Sequence, residues 1–426
     1  MKVYMETYGC TMNQGDSEIM LGKLEESGHE VVDKIKEADL VVLNTCAVKR
    51  PTLNRVLHRI KELKNSDKKL VIGGCLPLID HEKIEEAEEV EGIISCLTTD
   101  QISEVINRIS KGESGIEIIE GKSKKIGMPK HRQSQISAPV PIAEGCLSNC
   151  SYCSVKFARR KLRSFPPQDI VREVENELEN GRKEIYITAQ DTGVYGMDIG
   201  TDLSQLLEKI SSIKKKFRVR VGMMNPARTR ELTDRLIESY NDNKIYKFLH
   251  LPIQSGNDEI LKKMRREYTV EDFLKIVKKF RANYPDMYLA TDIIVGFPGE
   301  TKKKFLDTCD LMKKVKPDKI NLTRFTPMPG TDAERMNQVE SEIKKDRSRK
   351  MTKIHHEISY EKNRGYIGRR VEGLIVKKGK KGGYEARIHN YKPVIVEDGV
   401  PGRFASIKIK DAEPTYLIGE IEEIKK

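Results

Sequence analysis

Residues 145–153 read GCLSNCSYC, which sets Cys146, Cys150 and Cys153 at C-x3-C-x2-C spacing with no fourth cysteine close by. A structural zinc site takes four protein ligands, commonly as two close pairs. Three thiolates around a four-iron cluster instead leave one iron open to bind something else. The triad follows PVPIAEG (139–145), an extended apolar stretch, so the thiols fall just past the end of a strand.

Outward from that strand, strand and helix patterns alternate about six times. The strands are PVPIAEG, EIYITAQ, RVRVGMM, FLHLPI, YLATDIIVGF and KINLTRFT. Between the first two, PQDIVREVENELENG starts with Pro167 in a first helical turn. It lines up Ile170, Val171, Val174 and Leu178 on one face and ends at Gly181. Six βα units predict a parallel barrel, open on one side, with ligands above the carboxyl ends of the strands. Other strand ends carry candidate binding groups: Gln190 and Asp191 after the second, and Gln254 and Ser255 after LPI. Gly296, Gly299 and Glu300 form the GFPGE turn after the fifth. Cys96 and Cys309 lack such a setting and are expected to be small core residues.

Residues 1–125 also alternate. KVYMETYG reads as a strand, 16–27 as a helix, DLVVLNTC as a buried strand, 51–64 as a basic helix and KLVIGGC as a third strand. This order predicts a small parallel sheet. Cys10, Cys46 and Cys75 each follow a strand, so three thiols distant in sequence are expected along one sheet edge. Residues 113–135 are rich in Lys, Gly and Ser and read as a linker. Residues 331–360 read as one long charged helix, mostly solvated. From 363 to 426 short alternating strands are parted by Gly-rich turns, the pattern of a small antiparallel barrel. Its curved face is expected to draw on Lys377, Lys378, Lys380, Lys381, Tyr384, Arg387, His389 and Tyr391, cations for phosphates and aromatics for bases.

The 426 residues allow two or three domains, and the formal charge is +12. Residues 1–130 carry 19 Lys and Arg against 23 Asp and Glu, residues 131–360 carry 43 against 32, and residues 361–426 carry 15 against 10. Basic second and third segments point to a polyanion. Clustered cysteines without a signal-like start argue for a reducing compartment and metal ligation, hence the cytoplasm. No apolar run approaches the ~18 residues of a membrane span.

The chain resembles the radical S-adenosylmethionine methylthiotransferases. TYGCTMNQGDSE, EGCLSNCSYC, GFPGE, FTPMPGT and the terminal barrel match that family in order and over nearly the full length. TAQDTGVYG, GMMNP, FLHLPIQS and MRREYTV resemble its archaeal and eukaryotic branch, which acts on threonylcarbamoyladenosine beside the anticodon of transfer RNA. The acidic residue usual before DTG in that branch is Gln190 here.

The resemblance implies an N-terminal α/β domain with an auxiliary cluster (1–125), a central open (βα)6 radical S-adenosylmethionine barrel (131–360) and a TRAM-type RNA-binding β-barrel (363–426). It implies two 4Fe–4S clusters, on Cys146, Cys150 and Cys153 and on Cys10, Cys46 and Cys75, with S-adenosylmethionine on the open iron of the first. Reductive cleavage of one molecule of that cofactor yields a 5′-deoxyadenosyl radical, and a second donates a methyl group to sulfur held at the auxiliary cluster. Gln190, Gln254, Ser255, Gly296, Gly299 and Glu300 are the expected cofactor contacts. Arg159, Arg160 and Arg228 are candidates for the substrate's carboxylate. The implied partners are the transfer RNA anticodon loop, an electron donor such as a ferredoxin or flavodoxin, and a sulfur donor, with no membrane. The competing readings are a methylthiotransferase for isopentenyladenosine or a ribosomal protein, and a non-catalytic iron–sulfur or zinc protein that binds RNA.

Overall fold

The structure, a computed structural model, describes every residue except 49, 87–89, 380, 381 and 426. Six parallel strands make the first sheet: Lys2–Thr7 (β1), Glu30–Val31 (β2), Leu40–Thr45 (β3), Lys69–Gly74 (β4), Gly92–Ile94 (β5) and Ile116–Ile118 (β6), in the order β2-β1-β3-β4-β5-β6. Every residue of β3 is buried, as a central parallel strand covered on both faces requires. Val41, Leu43 and Ile72 pack on one side of the sheet, and Val42, Val71 and Ile94 on the other. The first helix spans Thr11–Glu26, one turn longer at its start than its apolar pattern indicates.

The six strands expected in the middle of the chain all form. Ser137–Pro141 (β7) precedes Ala143–Glu144 (β8) and Arg163–Ser164 (β9), a two-residue ladder that pins the cysteine loop. Glu184–Thr188 (β10), Arg218–Val221 (β11), Phe248–His250 (β12), Tyr288–Val295 (β13) and Lys319–Arg324 (β14) complete the series. β7-β10-β11 and β12-β13-β14 are two parallel three-stranded sheets. Val219 bridges them, donating to the Lys244 carbonyl and accepting from the Tyr246 amide. The six strands thus form a barrel wall in chain order, and helix Thr11–Glu26 lies against its free edge at β7.

The segment expected to be a linker is instead structural. It contributes β6 to the first sheet, and three of its cations are buried. Lys125 is fully buried, with Asp16 at 2.8 Å and Glu144 at 3.7 Å. Arg159 closes the same group, at 2.8 Å from Glu144 and 2.5 Å from Asp16. Burial pulls the Asp16 carboxyl upward, but the Arg159 and Lys125 charges outweigh it and hold it below the usual range. In a second group Arg132 binds Glu18 and Glu177 while Lys130 binds Glu173. Gly22 lets the strap lie this close, because a Cβ there would stand 2.5 Å from the Pro129 backbone.

Residues 331–340 are not part of the long helix. A short turn, Asp332–Arg335, precedes a helix that starts at Ser341 and ends at Arg364. One face of that helix is buried through Lys344, Arg347, Met351, Ile354 and Ile358, so it is a packed element and not a solvated connector. The C-terminal strands Arg370–Lys378 (β15), Tyr384–Ile388 (β16), Pro393–Val396 (β17), Phe404–Ala412 (β18) and Leu417–Lys425 (β19) close a barrel in the order β15-β16-β17-β19-β18. The β17–β19 pair runs parallel and the others antiparallel.

The expected RNA face of this barrel is divided. Lys377 and Lys378 are exposed and Tyr384 is half-buried, while Lys380 and Lys381 lie outside the described residues. Arg387, His389 and Tyr391 face the central barrel. His389 binds Asp286 at 2.8 Å, Tyr391 packs edge-on to Tyr246 and Phe248, and Arg387 lies over the Tyr391 ring. Lys392, also buried, reaches Asp318 at 3.1 Å. These contacts meet the amino ends of β12, β13 and β14, opposite to the cysteines.

Removing one partner from a buried ionic group leaves an uncompensated charge, at a cost of about 3–5 kcal/mol. Lys125→Met should therefore lower the unfolding free energy by at least about 3 kcal/mol, measured by urea titration at neutral pH.

Candidate active site

Cys10 stands at the N-terminus of helix Thr11–Glu26, Cys46 directly follows β3, and Cys75 directly follows β4. Because β1, β3 and β4 are neighbours, the three thiols share one sheet edge. Asn13 sits among them. Its Oδ1 lies 3.6 Å from Cys10 Sγ and 3.9 Å from Cys75 Sγ, and its Nδ2 donates to the Tyr8 and Thr45 carbonyls. Burial pushes the Cys46 thiol up to about 12. Cys96 is buried as expected, but it lies beside Cys75. A hydrogen bond from Cys96 brings the Cys75 thiol down to about 7, and the Arg159 guanidinium adds to the effect.

The second trio is held by its loop. Gly145 has φ +82°, and a Cβ there would stand 2.0 Å from the Lys161 carbonyl oxygen, so only glycine fits. Gln190 Oε1 accepts from the Gly145 amide at 2.7 Å. Ser151 donates to Lys263 O at 2.8 Å and through its amide to Met264 O at 3.1 Å, fixing the far side of the loop. Arg266, in MRREYTV, donates to Cys150 Sγ at 3.2 Å and to Asn225 Oδ1 at 3.1 Å. Sequence reading passed over Arg266, whose only local signal is membership of that stretch.

All six thiols line one cavity of about 870 Å3 between the first sheet and the barrel. Gln190, Asp191, Gln254, His250, Arg220 and Arg266 share its walls. Asp191 accepts the Gly193 and Asn225 amides through Oδ1, while its buried Oδ2 has no partner among the described residues. Burial raises the Asp191 carboxyl above the ordinary range. Gln254 has φ +69°, a strained conformation for a non-glycine residue, and among the described residues its Oε1 has no partner either.

The other expected contacts do not line this cavity. Ser255 is buried near Thr308. Gly296 and Gly299 lie under the Lys344 and Lys263 side chains. Glu300 accepts from the Gly296 amide at 2.6 Å and from Arg347 at 2.6 Å, which orients the turn. The three arginines considered for a carboxylate are already paired: Arg159 holds both Asp16 and Glu144, Arg160 binds Glu120, and Arg228 meets Glu267 at 2.8 Å. Cys309 is buried in helix Lys302–Val315, as expected of a core residue.

Chemically the cavity suits a polynuclear iron–sulfur group with a polar ligand beside it. Among the described residues no three His, Cys, Asp or Glu side chains form a group that could hold a single metal ion. A four-iron cluster is held by thiolates on separate irons and does not need them to meet at one point. The orphaned Asp191 Oδ2 and Gln254 Oε1 give a ligand beside the Cys146 trio two acceptors that no donor among the described residues occupies.

The sequence matches three family models: the radical SAM superfamily over residues 140–312, the uncharacterized protein family UPF0004 over 2–95, and the TRAM domain over 364–421. A Pyrococcus abyssi protein named "Probable threonylcarbamoyladenosine tRNA methylthiotransferase" is 46% identical over 424 residues, 99% of each chain. The Homo sapiens protein named "Threonylcarbamoyladenosine tRNA methylthiotransferase" is 32% identical over 432 residues, covering 98% of this chain and 74% of that one. Among solved structures, the radical S-adenosylmethionine methyltransferase TsrM from Kitasatospora setae aligns with TM-score 0.57 at 16% identity, over 78% of this chain and 75% of that one, a likeness of fold.

The loop geometry sets an expectation for Gly145→Ala. An alanine at positive φ facing a carbonyl should destabilise the chain by about 1–3 kcal/mol. It should also free the loop, so that iodoacetamide labels Cys150 in the metal-free protein several-fold faster than in the parent.

Proposed function

The chain belongs to the threonylcarbamoyladenosine tRNA methylthiotransferase family, and from that premise we propose that it converts threonylcarbamoyladenosine beside the anticodon to its 2-methylthio form. The observation that carries this reading is the meeting of two cysteine trios, from separate folding units, on one cavity wide enough for a base. Cys146, Cys150 and Cys153 would hold the 4Fe–4S cluster that binds S-adenosylmethionine, and Cys10, Cys46 and Cys75 an auxiliary 4Fe–4S cluster. When bound, the first would supply the electron that cleaves S-adenosylmethionine, and the second would hold the sulfur that is methylated and transferred.

The protein's own residues have the remaining tasks. Gln190 fixes the turn into the first trio, and Arg266 sets a positive charge against Cys150. Asp191 Oδ2 and Gln254 Oε1 are available to donors of the bound cofactor. The first sheet closes over the barrel mouth, which keeps a reactive step away from bulk water and orients both reaction partners against one base. A base in a single-stranded anticodon loop leaves its stack more readily than one in a duplex.

Residues 1–125, 131–360 and 363–426 are assigned as auxiliary-cluster, catalytic and RNA-binding domains, with the buried strap joining the first two. Lys214, Lys215, Lys216 and Lys244 line an open groove of about 880 Å3 between the central and C-terminal barrels, which suits RNA phosphates. An electron donor such as a ferredoxin or flavodoxin and a sulfur donor complete the system. Among the described residues no helix is long and apolar enough to cross a membrane. A reducing cytoplasmic setting accords with eight free cysteines.

The test offers the anaerobically reconstituted protein transfer RNA bearing threonylcarbamoyl, isopentenyl or unmodified adenosine, with nucleoside mass spectrometry as readout. Methylthiolation of the threonylcarbamoyl form alone is expected, and preference for the isopentenyl form would overturn the assignment. Replacing either cysteine trio by alanine should halve the bound iron. Only loss of Cys146, Cys150 and Cys153 should abolish 5′-deoxyadenosine formation.

A further inference from the structure

Arg220 lines the cavity with neither an ion pair nor a hydrogen bond among the described residues. It extends from β11 into the barrel, where it lines both the large cavity and a smaller one of about 200 Å3 beneath it. Its guanidinium lies 5.5 Å from the Tyr186 ring centre, 4.9 Å from that of Phe248 and 5.1 Å from that of Tyr391. Among the described residues no carboxylate reaches it, and its buried Nε has no hydrogen-bond partner. The other cations lining the cavity have polar partners: Arg159 two carboxylates, Arg266 Cys150, Asn225 and Tyr268, Lys156 the Asn149 side chain, and the exposed Arg55 the Thr52 hydroxyl.

Three aromatic faces offset part of the charge, by about 2 kcal/mol for a desolvated contact. Ring faces take none of the in-plane N–H bonds, and a buried donor such as Nε left unpaired is unfavourable. The fork is therefore held open for an acceptor, and its geometry matches a planar carboxylate. Beside it, His250 Nε2 lies 3.0 Å from Asp292 and Asn321 donates to the same carboxylate at 2.7 Å. That set offers a polar wall suited to amide and hydroxyl groups.

We propose that Arg220 forms a carboxylate subsite inside the barrel and binds the carboxylate of the N6-threonylcarbamoyl group, with the rings of Tyr186, Phe248 and Tyr391 orienting its fork. This inference rests on the substrate reading above and names the residue that discriminates within it. An isopentenyl group on the same nitrogen has no acceptor to offer and would leave the fork unpaired, which is how a polar site rejects an apolar analogue. Because Tyr391 comes from the C-terminal barrel, the docking of that barrel also shapes the subsite.

The experiment uses the reconstituted full-length enzyme and two anticodon stem-loop RNAs, one with N6-threonylcarbamoyladenosine and one with its primary amide, which is isosteric but replaces one charged acceptor oxygen by a neutral NH2 donor. Affinity is read by fluorescence anisotropy, and kcat and KM for methylthiolation are read alongside. The wild type should favour the acid by about 10–100-fold, the range of a charged hydrogen bond. Arg220→Gln should bring that ratio near unity by weakening the acid form alone, and should raise KM more than it lowers kcat. Arg220→Lys, which keeps a cation without the fork, should restore part of the preference. An Arg220→Gln enzyme that keeps the wild-type ratio, or that weakens both RNAs equally, overturns the subsite. A wild type that leaves the threonylcarbamoyl RNA unmodified overturns the substrate reading, and the subsite with it. The two failures are distinct, because the first leaves wild-type turnover intact.

Discussion

Two cations and two carboxylates out of water, Lys125 and Arg159 with Asp16 and Glu144, hold the rest of the structure in register. They come from four separate places: the strap, helix Val155–Arg159, helix Thr11–Glu26 and β8. An apolar contact of the same size would tolerate sliding, because the hydrophobic effect is non-directional. A buried ionic group is satisfied in few arrangements, and any other leaves a charge unpaired. The first sheet and the barrel therefore meet in one orientation. Arg159 reaches Asn13 at 3.3 Å, within the Cys10, Cys46 and Cys75 group, while its own helix begins two residues after Cys153. One side chain thus links the settings of the two trios.

The open barrel explains why a second unit is needed. With β7 and β14 at free edges, six strands do not enclose a site by themselves. Helix Thr11–Glu26 lies against β7, and the strand ends of the first sheet form the facing wall of the cavity. Both walls present the carboxyl ends of parallel strands, where such sheets expose their loops and bind ligands. The closure therefore brings two thiol-bearing edges face to face.

The six strands of the central barrel, both cysteine trios and the terminal barrel were legible in the sequence because each has a local signature: a period of two or 3.6, a glycine-rich turn, a C-x3-C-x2-C run. In the first sheet only three of the six strands were, since β2, β5 and β6 are two or three residues long. The strap was not. Its Lys, Gly and Ser composition reads as solvated, but the partners of Lys125, Lys130 and Arg132 lie far along the chain, and pairing at that range leaves no local trace. Strand ends located the site loops without revealing which way side chains point. Gln190 and Gln254 reach the cavity, while Ser255 and Glu300, also beside strand ends, turn toward Thr308 and Arg347. The aromatic and basic residues after β16 carried a composition suited to RNA. Packing instead places Arg387, His389 and Tyr391 under the central barrel, where one-sided burial of Tyr246 and Phe248 calls for a cover.

The uneven charge of the chain takes on a different meaning once these pairs are known. Segment counts give the first 130 residues an acidic balance, yet Asp16 and Glu18 are buried against Arg159 and Arg132 of the following segment. Such carboxylates project little field into solvent, and neither do the cations that neutralise them. What remains outside is better read from the groove between the two barrels. There Lys214, Lys215 and Lys216 follow one another at the surface, and Lys216, Arg218 and Lys425 share the single carboxylate of Glu372. Surface cations in such excess attract a polyanion through long-range fields that salt screens. Recognition of a modified base instead depends on the desolvated interior, where a single guanidinium counts for more. On the proposed reading the two kinds of positive charge would divide the work, with the groove giving affinity for a nucleic-acid backbone and the barrel interior giving the choice of base.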